Sequence, residues 1–348
     1  MKKIINLVAA LVFSMPMLAQ KNQPKLEVVA QLPIRPGNVA VAKSGRVFAT
    51  IHPLGSSEIQ LIEIKSKTKY EAYPNASFQK NGKPADDDVL DTPLGLTFDK
   101  DDNLYVIDMG QTLGKTRLWV FNTNKNTLVN KIELSEAIAP KGSFIQDIAV
   151  DDVNGWAFLA DIANPGIIAV NLKTGDARRF SGHPSLKSED IDMVIDEKVT
   201  YFGGAPARVA INPITISADK QTIYFGAMNG TKWYSVPTRL FRDNVSDDSI
   251  GKAITIVGTK PISDGAVTDA KGNHYFTNLP GHAISKLSGS TLKDILVDKR
   301  LLWPDNVALA NGWIYVSVNQ LNTTPAFTGG KDEGTAPYYI YKFMLMAN

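Results

Sequence analysis

Residues 93–109 read PLGLTFDKDDNLYVIDM. A short apolar run, Leu94 to Phe98, meets a polar turn at Asp102-Asn103 and continues as a second apolar and aromatic run, Leu104 to Met109. Two such runs, joined by residues that tolerate positive φ, read as a β-hairpin. The same reading holds for NVAVAKSGRVFATI at 38–51, DIAVDDVNGWAFLADI at 147–162 and PITISADKQTIYFGAM at 213–228. It holds again for DGAVTDAKGNHYFTNL at 264–279 and DNVALANGWIYVSVN at 305–319. The ends of the six first strands, Val41, Phe98, Val150, Ile216, Thr268 and Leu309, recur at intervals of roughly 40–65 residues, the spacing of propeller blades with insertions.

Further strand-like runs lie between the hairpins. Ile59–Ile64, Arg117–Asn122, Ile167–Leu172, Trp233–Val236 and Ile284–Leu287 are expected third strands, and Leu128–Leu134 and Ala253–Val257 expected fourth strands. Helical periodicity is weak, except over Leu134–Ile138. Leu26–Leu32 and Tyr338–Met344 lie outside the six hairpins and are expected to share one blade, closing the ring so that no sheet edge stays open. The fold expected is all-β, a six-bladed propeller of four-stranded blades, in one domain over residues 21–348. Its long blade carries a polar insertion, Gly182 to Val209.

The first 20 residues stand apart. Lys2 and Lys3 precede an apolar run from Ile4 to Phe13, and small residues lead to Ala19-Gln20. This is the three-part pattern of a secretory signal peptide, with cleavage expected near Ala19 or Gln20 and a secreted or periplasmic location. The run is too short for a comfortable membrane span. The whole chain has 37 Lys and Arg against 35 Asp and Glu, and loss of Lys2 and Lys3 leaves the two balanced. A neutral mature chain argues against nucleic acid or an anionic membrane as partner, since both need a basic surface. There is no cysteine, which removes thiolate catalysis, disulfides and Cys-ligated zinc.

Propeller geometry suggests where chemistry would sit. Loops leading into the innermost strands surround one mouth of the central channel. The residues just before those strands are Asn38, Asp91, Gln146 with Asp147, Asn212, Ser263 with Asp264, and Asp305 with Asn306. Converging carboxylates and amide oxygens suit a hard cation such as Ca²⁺ or a ligand ammonium group. The plain alternative is that these side chains cap turns and bond their own backbone. Trp303 borders the same mouth and is placed to stack on an aromatic or cationic ligand. Phe144 and Tyr201-Phe202 hold similar positions, and aromatic walls with a few polar groups describe a small-molecule pocket.

Several blocks resemble a known family. GRVFATIHPLGSSEIQLIEI at 45–64, DNLYVIDMG at 102–110 with TRLWVFNTNKNTLVNKIEL at 116–134, and residues 144–180 resemble, in order, blocks of the Yellow/major royal jelly proteins. The fullest likeness is INPITISADKQTIYFGAMNGTKWYSVPTRLFRD at 211–243, and residues 254–278 and 302–309 complete the series. The resemblance implies a secreted six-bladed propeller. It also implies a cavity at one end that takes an aromatic amine or related quinone, with dopachrome conversion as the activity of some members. It transfers no catalytic residue, and this chain lacks the cysteines of insect members.

A weaker likeness links SDGAVTDAKGN at 263–273 and, more loosely, Pro304-Asp305-Asn306 to gluconolactonase-type propellers, which use a divalent cation. That likeness implies Asp264 as a base, with Asp147, Asn212 and Asp305 near the metal. No early Glu ligand is found, because Glu58 and Glu63 fall in a strand pair. The residues expected at a ligand site are therefore Asp147, Asn212, Asp264, Trp303, Asp305 and Asn306, and the cation set is Asp147, Asn212, Asp264 and Asp305. A third reading is a protein-interaction scaffold, which predicts an exposed apolar patch instead of a pocket.

The remaining candidates are weaker. None of His52, His183, His274 and His282 has metal-ligand spacing. His274 reads as structural. His52 and His282 follow second strands and are expected at the far strand ends or on loops, and His183 on a lid. Trp119, Trp233 and Tyr234 read as core between blades, and Asp86-Asp87-Asp88 as a solvated loop. No G-x-S-x-G occurs to support a serine hydrolase. Asn75, Asn229, Asn244 and Asn322 match the glycosylation pattern.

Overall fold

The computed structural model describes residues 23–346 apart from 56, 81 and 83, so the expected signal peptide lies outside the described residues. Six four-stranded antiparallel sheets are found among the described residues, with two small two-stranded ribbons. The first blade comprises Pro36–Val41, Val47–Ile51, Leu61–Ser66 and Lys69–Ala72, and the second Pro93–Phe98, Asn103–Asp108, Thr116–Asn122 and Thr127–Leu134. Ile145–Asp151, Trp156–Asp161, Gly166–Asn171 and Ala177–Ser181 make the third blade. The fourth is Ile211–Ile216, Thr222–Ala227, Lys232–Pro237 and Thr255–Thr259, and the fifth Ala266–Thr268, His274–Asn278, Ala283–Ser288 and Thr291–Val297. The sixth joins Pro304–Ala310, Trp313–Val318 and Tyr338–Met344 to Glu27–Leu32 as its outermost strand. Glu27 pairs with Lys342 and Leu32 with Tyr338, so the two ends of the chain close the ring as expected.

Local chemistry explains the hairpins. Each inner turn passes through a residue in the left-handed region: Gly45, Asp102, Gly155, Lys220, Gly272 and Asn311. Apolar faces then pack blade against blade. Leu94, Ile107 and Leu118 of the second blade meet Ile148, Leu159 and Ile168 of the third, and Phe158 and Ile167 meet Ile214 and Phe225 of the fourth. Trp119 and Trp233 are wholly buried in such seams.

The helix expected over Leu134–Ile138 is absent. The N–H groups of Ile138 and Ala139 both reach the Ser135 carbonyl, and Pro140 then stops the turn. Helix occurs instead at Arg239–Arg242, Asp247–Ala253 and Pro325–Thr328.

One irregularity positions the channel residues. In the first, second, third, fourth and sixth blades the register of the innermost strand shifts near its start, between Pro36 and Val39, Pro93 and Leu96, Ile145 and Asp147, Ile211 and Ile214, and Pro304 and Val307. A bulge of this kind turns consecutive side chains toward one face. In two blades a hydroxyl on the next strand accepts the displaced N–H: Thr50 for Asn38 and Ser317 for Asn306. In the fifth, Thr277 accepts from both Asp264 and Gly265.

Candidate functional site

The bulges stack two polar tiers inside the channel. The upper tier holds Gln146, Asn212, Asp264 and Asp305, and the lower holds Asn38, Asp147 and Asn306. All seven are buried. Inner strands approach closely here, and a Cβ on Gly95 would lie 2.5 Å from the Gln146 carbonyl oxygen.

The tiers bond across blades. Gln146 Nε2 donates to Asp264 Oδ1 at 2.5 Å and stands 3.5 Å from Asp305 Oδ1. Asn212 Nδ2 also donates to Asp264 Oδ1, and the Trp303 indole N–H donates to Oδ2 at 2.6 Å. Asn319 Nδ2 donates to Asp305 Oδ2 at 2.7 Å. Below, Asp147 Oδ1 accepts from Asn38 at 2.7 Å and Asn306 at 3.3 Å. Asn38 Oδ1, Asp147 Oδ2, Asn212 Oδ1 and the Ser263 hydroxyl keep no hydrogen-bond partner.

These carboxyls are therefore unusual acids. Burial pushes Asp147 up to about 8, with the Asp305 charge adding to it and the Asn38 amide opposing it. Burial pushes Asp305 up to about 7, against the Asn319 amide. Asp264 stands well above the carboxylate range through burial and the neighbouring Asp305, although Trp303 and Asn212 donate to it. Burial pulls the nearby Lys260 down to about 7, while the Glu189 charge and then that of Asp264 favour its ammonium. Three backbone carbonyls, of Met228, Gly230 and Pro261, cradle its ammonium at 2.9 to 3.5 Å. That geometry favours the charged form, because a neutral amine has only two donors for three acceptors.

Among the described residues no group of three or more His, Cys, Asp or Glu is placed to hold a metal ion. The expected cation set fits poorly on chemical grounds as well. Asp264 already serves three N–H donors, and Asp305 is bonded to Asn319.

Directly above the tiers lies an apolar pocket of about 250 Å³. Phe144, Phe202, Trp303 and Phe327 supply aromatic walls, with His52 beside them and Gln146 shared with the upper tier. Phe327 meets Trp303 edge-on at 5.1 Å and Phe202 at 5.0 Å. Phe202 comes from the insertion in the long blade and Phe327 from Pro325–Thr328, and the two segments join through Gly203 N–H to the Ala326 carbonyl. Trp303 sits at φ 58°, a left-handed conformation rare for a bulky residue. Strain of this order costs about 1–3 kcal/mol, and the indole bond to Asp264 helps hold it.

Trp303 alone of the six expected ligand-site residues lines this pocket. Asp147, Asn212, Asp264, Asp305 and Asn306 lie beneath it in the tiers. Asp147 and Asn306 also face a channel cavity of about 280 Å³ on the other side. Asp91 is not in the ring, because the second blade places Gly95 there. Its Oδ2 instead accepts from the N–H groups of Thr112 and Leu113. His52 and His282 are at the same mouth as the first-strand starts, not the far end, because the second strand runs antiparallel and Ile51 pairs with Pro36. His282 joins Asp196 of the insertion to the Leu301 carbonyl.

His183 caps the 3-10 turn Pro184–Leu186 and packs on Phe180, away from the pocket. His274 is structural, bonded to Thr268 and packed edge-on against Tyr224. The sequon residue Asn229 is fully buried and accepts from the Val209 N–H. Sequence reasoning missed Phe327 altogether, since no repeat marks its segment.

Comparison with known proteins agrees with this architecture. The sequence model described as Major royal jelly protein matches residues 92–321. Protein yellow of Drosophila guanche is 24% identical over 197 residues, covering 51% of this chain and 34% of that one. For Protein yellow of Drosophila pseudoobscura pseudoobscura the identity is 25% over 171 residues, with 44% and 30% covered. The chain spans about a third of the length of the curated relatives it matches.

Among solved structures, a luciferin-regenerating enzyme superposes with a TM-score of 0.56 at 11% identity, over 93% of this chain and 98% of that one. A virginiamycin B lyase from Staphylococcus aureus gives 0.54 at 15%, over 92% and 99%. Identities this low carry the fold alone. With the repeat, the closed ring and the family match over two-thirds of its length, the chain belongs to the major royal jelly protein family.

Proposed function

We propose that the chain binds a small planar aromatic molecule in the apolar pocket above the polar tiers, as an exported protein whose residues 1–19 act as a signal peptide. The observation that carries this is the wall of Phe144, Phe202, Trp303 and Phe327 over a floor that includes Gln146. Such a site gives stacking surface with few polar contacts to fix orientation. No ionised side chain is among its lining residues, and burial with the nearby Arg35 holds His52 down at about 3, as the neutral ring. An uncharged quinone or indole therefore suits the pocket better than an ammonium, which would rest on the aromatic faces alone. Dopachrome-type conversion is one activity consistent with a quinone ring stacked in this pocket.

The test is a titration of dopaminochrome, the uncharged quinone that lacks the dopachrome carboxylate, and of dopamine and serotonin, followed by tryptophan emission. Saturable quenching by the uncharged quinone, weakened about tenfold or more in Phe327→Ala, is expected. If none of the three binds, the reading fails.

A second reading, a cation-dependent lactonase, rests on the unpartnered oxygens of Asn38, Asp147 and Asn212. Calcium would then raise the melting temperature with concentration, and Asp147→Asn, which removes the one carboxylate with an unpartnered oxygen among them, would abolish that rise. A melting temperature indifferent to calcium leaves the aromatic ligand standing.

A further inference from the structure

A second cavity, of about 290 Å³, lies between the first and second blades on the same face. Unlike the aromatic pocket it is polar, lined by His52, Gln60 and Asp91, with Ser57, Glu58 and Lys80. Glu58 is exposed and Lys80 partly so, so this side meets solvent. The first three side chains are each more than nine-tenths buried, and each carries a polar atom without a hydrogen-bond partner: His52 Nε2, Gln60 Oε1 and Asp91 Oδ1.

The surroundings fix what each atom offers. Leu54 N–H donates to His52 Nδ1 at 3.2 Å, so the ring proton sits on Nε2, a free donor. Gln60 Nε2 donates to the Asp91 carbonyl at 2.7 Å, which orients the amide and leaves Oε1 a free acceptor. Asp91 Oδ2 takes the Thr112 and Leu113 N–H groups at 2.6 and 2.9 Å. Oδ1 has no hydrogen-bond partner, with the Lys80 ammonium 3.5 Å away, and the Thr112 hydroxyl also lies close to this carboxylate. Buried groups of this kind each carry a desolvation cost until a partner arrives.

One donor and two acceptors, with charges of both signs at the rim, select against an ion of either sign. A cation meets Lys80 and the His52 N–H, and an anion meets Asp91 and Glu58. A hydroxyl both accepts and donates, so several hydroxyls on one small frame satisfy all three atoms. The volume stands at the lower end of ligand pockets, roughly 300 Å³. We propose that this cavity binds a small uncharged polyhydroxylated molecule, a sugar or polyol, held by His52, Gln60 and Asp91.

The chain has four histidines, so ¹⁵N-histidine labelling resolves the His52 ring N–H. Titration with D-glucose and with myo-inositol is expected to move that signal saturably for at least one of them, in the unaltered protein. Asp91→Asn, which keeps an oxygen for the Thr112 and Leu113 N–H groups, and Gln60→Leu are each expected to weaken binding by about tenfold. Their melting temperatures show whether they fold, and the unaltered protein decides the matter if they do not. A His52 signal that neither compound moves overturns the proposal. So does a signal moved only by calcium chloride or inorganic phosphate. His52 also borders the aromatic pocket, so a shift that folded Asp91→Asn and Gln60→Leu leave unchanged overturns the proposal as well, while tryptophan emission follows the aromatic pocket and distinguishes failure here from failure there.

Discussion

Replacing Asp147 by Asn should change stability in a way that depends steeply on pH. Asp147 is buried in the lower tier and its carboxyl is pushed from 3.8 to about 8. A group whose value is raised on folding binds more protons in the folded state, so its stabilisation is complete below the unfolded value and is lost as pH rises through the folded one. The amide introduced by Asp147→Asn would keep an oxygen for the Asn38 side chain but cannot ionise. The difference between variant and parent therefore removes the contribution of distant buried groups such as His52, and reports Asp147 together with its effect on the neighbouring Asp264 and Asp305. Between pH 5 and pH 8 the parent loses about 3 pH units' worth of stabilisation at about 1.4 kcal/mol each, on the order of 4 kcal/mol. Urea unfolding of both proteins at both pH values, followed by tryptophan emission, measures it. The variant should gain on the parent by several kcal/mol at pH 8 relative to pH 5. An unchanged gap would mean that Asp147 ionises as an ordinary carboxylate and that the tiers are open to water.

Other perturbations follow from the same structure. Gly95→Ala should cost about 1–3 kcal/mol in unfolding free energy, because its Cβ would press on the Gln146 carbonyl at 2.5 Å. Arg117→Leu should cost about 3–5 kcal/mol by chemical denaturation, since it strands Asp108, bonded to Arg117 at 2.7 Å in a fully buried pair. Trp303→Phe should lose the indole bond to Asp264, lowering stability by about 1–3 kcal/mol and weakening quinone binding in the emission titration. Mass spectrometry of the protein recovered from the secreted or periplasmic fraction should place its first residue near Gln20; an intact Met1 there would remove the cleaved signal peptide, and absence of the protein from that fraction would remove the export reading.

The architecture was legible because each blade writes its inner hairpin as two apolar runs around a turn residue able to take positive φ. The polar tiers were partly legible for the same reason: their residues directly precede those runs. Asp91 shows the limit. Blade two begins with Pro93 and puts Leu94 and Gly95 where other blades put amides and carboxylates, and no local pattern fixes that frame. His52 shows another, since only the antiparallel pairing of Ile51 with Pro36 brings it to the mouth. Phe202 and Phe327 meet across more than a hundred residues of chain, so nothing periodic announces their contact. The bonding of the tiers to one another was also invisible, because it depends on bulges that turn neighbouring side chains the same way.

The strand Glu27–Leu32, at the rim of the sixth blade, precedes every other blade strand in the chain and is synthesised before them. Its partner, Tyr338–Met344, follows all of them. Five blades can assemble in turn as the chain grows, but the sixth must wait with one strand in hand. Until then the molecule is an open arc with two raw edges, and Glu27–Leu32 has no strand to pair with. Completion of the circle thus waits for its last strand, and a chain cut short before Tyr338 would keep both edges raw.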